Sequence, residues 1–309
     1  MTSSEPILLT GVGGGVSSIS RLTAQLLLKA GQPVRVMIHR DDGRADDLRR
    51  LGAQVVVGDL ANPQEVAQAL RGVRRLFFNM AVSAHYLEAA AVVCSIATEH
   101  GDLEALVNMS QLTVAQMTAT SSDESDHQRL HWLVERIEEW APIPVVNVRP
   151  TVFLDNPMFS IAPRQLIASA NTLALPIGTG RTSPVVATDV AAVVATILID
   201  PAPHVGKTYE LTGPESLTLK DLAERYGRAL GRPLGAADIP LDVYERMLNA
   251  FPGLTPHVRQ HILTVAKLHR AGRYDRSTND IEAVTGRAAL SVEAYIAANR
   301  DLFLAGSSQ

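Results

Sequence analysis

Ile7-Leu8-Leu9-Thr10-Gly11-Val12-Gly13-Gly14-Gly15-Val16-Ser17-Ser18 is a short apolar run that breaks directly into a cluster of glycines. A strand that ends in glycines and then opens a helix is built to receive a diphosphate. The first glycine permits a tight turn, the next let backbone N–H groups approach the phosphates, and the helix points its positive end at them. Gly11, Gly13, Gly14, Gly15 and Val16 are therefore candidate dinucleotide-binding residues.

The pattern around this stretch alternates strand and helix. Ile7–Thr10 is read as a strand, and Ile19, Leu22, Leu26 and Leu27 mark one face of a helix that stops at Gly31. The spacing then predicts strands at Val34–Ile38, Gln54–Val57, Leu76–Asn79, Ala105–Met109 and Val145–Val148. Between them fall helices at Ala45–Leu51, Pro63–Leu70, Tyr86–His100 and His127–Trp140, with a Ser/Thr-rich loop over Thr118–Asp126 that reads either as a mobile lid or as a surface connection. Strands that are apolar almost throughout, separated by helices, indicate a parallel sheet covered on both faces. Past Pro150 prolines and glycines punctuate the chain, with helices expected at Ala187–Ile199, Leu219–Leu230, Leu241–Ala250 and Pro256–Ala271 and a strand at Tyr209–Thr212. The expected fold class is α/β, a doubly wound parallel sheet with a smaller, mainly helical C-terminal lobe. The expected domains are residues 1–155, binding the dinucleotide, and 156–309, the substrate lobe, with part of 184–212 returning to the sheet.

Composition narrows the function. The chain has 309 residues, 46% of them hydrophobic and 19% charged, as in an ordinary globular protein. A net charge of −4 provides no basic footprint, so direct nucleic-acid binding is not expected. The single cysteine, Cys94, excludes an internal disulfide framework; it lies in an apolar run and reads as a packing residue. No apolar stretch approaches the ~20 residues of a membrane span, and no signal peptide precedes the first strand, so a cytoplasmic location is expected.

Ligands of doubly wound sheets bind at the carboxyl ends of the strands, near the point where strand order reverses. The second strand ends in His39-Arg40-Asp41-Asp42. An arginine there offers bidentate donors to a ribose 2′-phosphate, with His39 assisting, so NADP(H) is favoured over NAD(H); Asp41 or Asp42 could instead accept a ribose hydroxyl. Asp59, with Leu60, follows the third strand, where its carboxylate either caps the turn or lies near the adenine amine. Asn79 and Met80 end the fourth strand, Ser110 the fifth and Arg149 the sixth.

These residues, taken with Val107-Asn108-Met109-Ser110-Gln111, Val148-Arg149-Pro150-Thr151-Val152-Phe153-Leu154-Asp155-Asn156, Gly178-Thr179-Gly180-Arg181, Tyr209-Glu210-Leu211-Thr212-Gly213-Pro214 and Asn279–Arg287, resemble the NmrA-like group of atypical short-chain dehydrogenase/reductases. That group includes NADPH-dependent quinone and triphenylmethane reductases and non-catalytic redox sensors. The resemblance covers nearly the whole chain. It implies a Rossmann fold, NADP(H) as cofactor, and a reductase of a quinone or similar conjugated carbonyl, acting as monomer or homodimer on a small molecule. A non-catalytic redox sensor with a protein partner and a non-redox biosynthetic enzyme are the alternatives.

Two departures from the family pattern stand out. The usual loop reads Gly-Ala-Thr-Gly-x-x-Gly, and here the third glycine falls on Ser17 or, if the loop bulges, on Ser20. The Tyr-x-x-x-Lys pair of short-chain dehydrogenases is missing: none of the six tyrosines has a lysine four residues on, and no lysine lies between Lys29 and Lys207. His131-Trp132-Leu133-Val134-Glu135 stands at that spacing instead. Ser110 and His131 are the candidate catalytic residues: a hydroxyl to hold a substrate oxygen and an imidazole to pass a proton. The bland alternatives are a loop cap for Ser110 and, for His131, an i,i+4 ion pair with Glu135 on a helix surface. His127 and His131 have no clustered further ligands, so no metal site is expected. Phe153, Asn156, Met158, Phe159 and Trp132 are candidates for lining a substrate pocket.

Overall fold

The computed structural model describes residues 5–12, 18–160 and 162–304. Gly13, Gly14, Gly15 and Val16, and the alternative third-glycine position Ser17, lie outside these residues.

Six strands, β1 (Ile7–Leu9), β2 (Val34–Ile38), β3 (Gln54–Val57), β4 (Arg75–Phe78), β5 (Ala105–Met109) and β6 (Val145–Pro150), are followed by the short β7 (Thr172–Leu175) and β8 (Arg181–Thr182). Then come β9 (Thr208–Leu211), β10 (Leu217–Thr218) and β11 (Gly235–Asp238). The helices of the first half are α1 (Ile19–Lys29), α2 (Gly43–Arg50), α3 (Pro63–Leu70), α4 (Tyr86–His100) and α5 (Asp126–Trp140). After β6 follow α6 (Pro157–Ser160), α7 (Arg164–Ala170), α8 (Ala187–Ile199), α9 (Leu219–Leu230), α10 (Leu241–Ala250), α11 (Pro256–Arg270), α12 (Asp280–Thr285), α13 (Val292–Ala298) and α14 (Arg300–Leu304).

One sheet of seven strands runs β3-β2-β1-β4-β5-β6-β9. Its first six strands pair in parallel, with Leu9 of β1 opposite Val36 on one side and Phe77 on the other. β9 joins in the same sense, because the bonds from Asn147 N–H to the Lys207 carbonyl and from Thr151 N–H to the Leu211 carbonyl advance together. The chain is therefore a doubly wound α/β protein, and strand order reverses between β1 and β4. Strands buried on both faces explain the near-continuous Ile/Leu/Val/Phe runs: Leu8, Leu76, Phe78 and Leu106 share a core with Leu70 of α3 and Val93 of α4. The turns are punctuated as the residue types require, with Asn62 capping α3 through the N–H groups of Gln64 and Glu65, and Gly101 ending α4 at φ 74°.

The chain folds into two compact units: residues up to 114 with 127–149 and 190–209, and 115–126 with 150–189 and 210–309. The second unit has its own core, in which the Tyr226 hydroxyl donates to the Phe159 carbonyl at 2.9 Å and the Tyr226 ring meets Phe303 edge-on. It also carries two small sheets, β7 with β11 in parallel and β8 with β10 antiparallel. These strands left no signal in the sequence because they are two to four residues long, and β11 reads Gly-Ala-Ala-Asp with every residue exposed. Among the described residues no helix is long and apolar enough to cross a membrane.

Candidate dinucleotide and reductase site

At the switch point the end of β1 is knotted to the end of β4. Gly11 has φ +69°, and a Cβ there would lie 2.4 Å from the Asn79 carbonyl oxygen, so both backbone conformation and space demand glycine. The Thr10 hydroxyl donates to that carbonyl at 2.8 Å and accepts from the Asn79 N–H at 2.9 Å. Asn79 Nδ2 donates to the hydroxyl of Ser20, which is fully buried on α1. The Asn79 side chain is thus spent on fixing the turn, and a serine is accommodated at this close helix–strand contact by a hydrogen bond. Ser18 precedes the helix and its hydroxyl donates to the Gly11 carbonyl at 3.3 Å.

The end of β2 forms a shallow cavity of about 220 Å³ lined by Ile38, His39, Arg40, Asp42 and Arg44. The acidic residues beside it are engaged. Asp42 caps α2 through the Arg44 N–H at 3.0 Å and holds the Arg44 guanidinium at 2.5 Å, which draws its carboxyl down to about 2. Asp41 takes two hydrogen bonds from Arg49, at 2.8 and 2.7 Å, and its carboxyl also lies below the usual range. Arg40 is exposed and makes no hydrogen bond or ion pair with any described residue. His39 Nδ1 stands 4.0 Å from Asp59 Oδ2. Asp59 itself closes the turn, accepting the Ala61 N–H at 2.9 Å while its own N–H donates to Glu65. Leu60 and Met80 are half-buried against the core of the sheet.

The ends of β5 and β6 meet the inner face of α5. Ser110 is buried, and its hydroxyl donates to Glu135 Oε1 at 2.5 Å. Arg149 donates to the same carboxylate from Nε at 2.9 Å and from Nη2 at 2.5 Å, a bidentate pair with only 2% of the Glu135 side chain exposed. One turn on, Glu138 accepts from Asn108 Nδ2, which also donates to Asn147, and burial beside Glu135 pushes its carboxyl well above the usual range. His131 does not form the surface pair with Glu135. It is buried, with its Nε2 3.1 Å from Nε2 of His127 and its ring 4.3 Å from that of Tyr86, whose hydroxyl donates to the Met109 carbonyl. Trp132 carries the Arg136 guanidinium over its ring, Phe159 and Met158 belong to the core of the second unit, and Asn156 caps the Met158 N–H.

Glu138 and Tyr86 were not singled out by sequence reasoning, Asn108 entered only within a motif, and Glu135 entered only as a surface partner of His131. A signal existed: His127, His131, Val134, Glu135 and Glu138 fall on one helical face, and all are buried. Four of the five are polar, so the face did not read as inward. Cys94 is buried as expected, its thiol pushed up to about 12. No group of three metal-ligating side chains occurs among the described residues.

The site thus combines a glycine turn at the switch point, an arginine at the end of β2 with no hydrogen-bond or ion-pair partner among the described residues, and a buried Ser110–Glu135–Arg149 network at the ends of β5 and β6. The model of the NmrA-like family matches residues 5–296. The chain belongs to the NmrA-like family. Within the curated proteins it is similar to (4-alkanoyl-5-oxo-2,5-dihydrofuran-3-yl)methyl phosphate reductase of Streptomyces griseus, 29% identical over 300 residues that cover 96% of this chain and 99% of the relative. NAD(P)H azoreductase of Xenophilus azovorans is 27% identical, over 75% of this chain and 77% of the relative. Among solved structures, the NADPH-dependent quinone oxidoreductase of Escherichia coli in complex with NADPH shares the fold with a TM-score of 0.81 at 18% identity, covering 95% of this chain and 99% of that one.

Proposed function

We propose that this NmrA-like protein is an NADPH-dependent reductase that passes hydride directly to a quinone or similarly conjugated acceptor. The observation that carries the cofactor choice is the end of β2. Arg40 lines the cavity without a hydrogen-bond or ion-pair partner among the described residues, while Asp41 and Asp42, the groups that would bind a ribose 2′-hydroxyl in an NAD enzyme, are tied to Arg49 and Arg44. A 2′-phosphate supplies the partner that Arg40 lacks. The reductase class is supported by the relatives, one named as a (4-alkanoyl-5-oxo-2,5-dihydrofuran-3-yl)methyl phosphate reductase and the other as an NAD(P)H azoreductase.

When bound, NADPH supplies the hydride; the chain's own residues orient and shelter. Gly11 and the Asn79 contacts fix the first turn, whose backbone would hold the diphosphate, and Asp59, which closes the turn after β3, would take the adenine amine. Ser110 has only one proton, and it is committed to Glu135, while His131 Nε2 is shared with His127. We therefore assign no side-chain proton donor, and the proton that accompanies hydride transfer comes from water. In this reading residues 1–155, with part of 184–212 returning to the sheet, would serve as the dinucleotide-binding domain and the rest of 156–309 as the substrate lobe. Titration of the purified protein with NADPH and NADH, followed by turnover with a quinone and an azo dye, tests this: NADPH is expected to bind more tightly, and absence of NADPH oxidation across the panel overturns the reductase reading.

The committed Ser110 proton also favours a second reading, a sensor that binds NADP(H) without turnover and reports its redox state to a protein partner. Unequal affinity for oxidised and reduced cofactor in a protein that does not turn over identifies that case.

A further inference from the structure

Residues 115–126 pack with the second unit, although the chain on both sides of them packs with the first. The segment leaves the carboxyl end of β5 five residues after Ser110 and rejoins α5 at His127. Its two flanks are closed together within the first unit, where buried Gln128 donates from Nε2 to Thr113 Oγ1 at 2.8 Å. A loop of this length with its ends pinned side by side is an Ω-loop, able to swing without unravelling its neighbours.

Within the second unit one guanidinium holds both ends of the loop. Arg273 donates through Nε to Gln116 Oε1 and through Nη2 to Glu124 Oε1 at 2.6 Å, and Gln116 Nε2 donates back to the Arg273 carbonyl at 2.9 Å. The Glu124 side chain is 1% exposed, yet its Oε2 has no hydrogen-bond partner among the described residues. The pair is a single-point contact, not a bidentate one, and half of a buried carboxylate is left unsatisfied; such a contact holds but is poised to release. Ser125 Oγ lies 2.8 Å from His261 Nδ1, and the Asp126 N–H donates to Gln260 at 3.2 Å, docking the same end on α11. Between the holding points Thr118–Asp123 is largely exposed and forms its own turn, with the Ser121 N–H donating to the Thr118 carbonyl and the Thr118 N–H to Ser121 Oγ.

We propose that residues 115–126 form a lid hinged at the Thr113–Gln128 neck and latched by Arg273 through Gln116 and Glu124. The segment follows Ser110 of β5 directly in the chain; that it serves the strand-end residues rests on the reductase reading, whereas the latch does not. Lids of this kind set admission and release in many enzymes.

Hydrogen exchange of the full chain, read by mass spectrometry, tests the latch. In the wild type the peptide 117–124 is expected to exchange more slowly than an open chain but faster than the peptide 128–140 of α5. Arg273→Met and Glu124→Gln are expected to speed exchange in 117–124 by about tenfold, the loss of roughly one charge-assisted hydrogen bond, with 128–140 unchanged. Arg273→Lys, which keeps the charge, is expected to recover part of the protection. Full exchange of 117–124 at open-chain rate in the wild type overturns the proposal, and so does equal acceleration in 128–140, which would mean local unfolding of the neck. Loosened exchange in the variants of a protein that does not bind NADPH would overturn the reductase reading and leave the latch standing.

Discussion

His269 gives the second unit a measurable sensitivity to acid. It is fully buried on α11, its Nδ1 2.8 Å from the Val265 carbonyl and its Nε2 3.1 Å from Thr182 Oγ1, with the ring stacked 4.1 Å from Tyr274. These bonds fit the neutral ring: Nδ1–H donates to the carbonyl and Nε2 accepts from the hydroxyl. Burial lowers its pKa to about 4 from 6.5. The folded form resists the proton that the unfolded chain accepts, so the stabilisation is complete above the unfolded pKa and is lost as pH falls from about 6.5 toward about 4. A shift of this size corresponds to about 3 kcal/mol once fully lost, and about 2 kcal/mol is lost by about pH 5. His261, lowered to about 4 by burial and by His257, adds a similar loss. The decisive comparison is His269→Asn, whose amide can still donate to Val265 but does not titrate. Urea unfolding at about pH 7.5 should show the variant less stable, by about 2–3 kcal/mol for the lost stack and packing. At about pH 5 the gap should close by about 2 kcal/mol. A gap that stays constant between the two pH values would refute the assignment of a neutral, acid-resistant His269.

Arg40→Ala should weaken NADPH binding about tenfold, a charge-assisted bond of roughly 1.5–3 kcal/mol, and leave NADH little changed; equal loss for both cofactors in calorimetric titration would sink the phosphate assignment. Gly11→Ala should lower the unfolding free energy by more than the ~1–2 kcal/mol of a left-handed backbone, since its Cβ would also collide with the Asn79 carbonyl; a smaller loss in urea melts would show that the β1–β4 knot yields. Glu138→Gln removes a buried acid whose folded pKa is raised by burial and by Glu135, a group whose contribution is favourable at low pH and lost as pH rises through the folded value. The variant should therefore gain on the wild type as pH rises from acid to alkaline, and an unchanged difference across that range counts against the raised value. Cys94, buried with its thiol at about 12, should react with a thiol reagent only on unfolding; stoichiometric labelling of the folded protein would contradict its burial.

Much of the architecture was legible in the chain because it rests on local periodicity. Apolar strands of four or five residues set between amphipathic helices specify a parallel sheet, and Pro63–Leu70, Tyr86–His100 and Ala187–Ile199 form helices over the very spans that pattern and caps predicted. Gly11 was equally visible, since a glycine cluster after a strand has few other uses. What only the tertiary structure decided is which side chains are spent and which remain. Asp41, Asp42 and Arg40 are neighbours in sequence, yet the two acids are claimed by Arg49 and Arg44 and the arginine is not. Glu135 stands four residues from His131, the spacing of a surface pair, but it is buried against Ser110 and Arg149, which come from the ends of two other strands. A hydrogen bond or ion pair across separate elements depends on the register of the sheet and the rotation of a helix about its axis, and a single chain read in order contains neither.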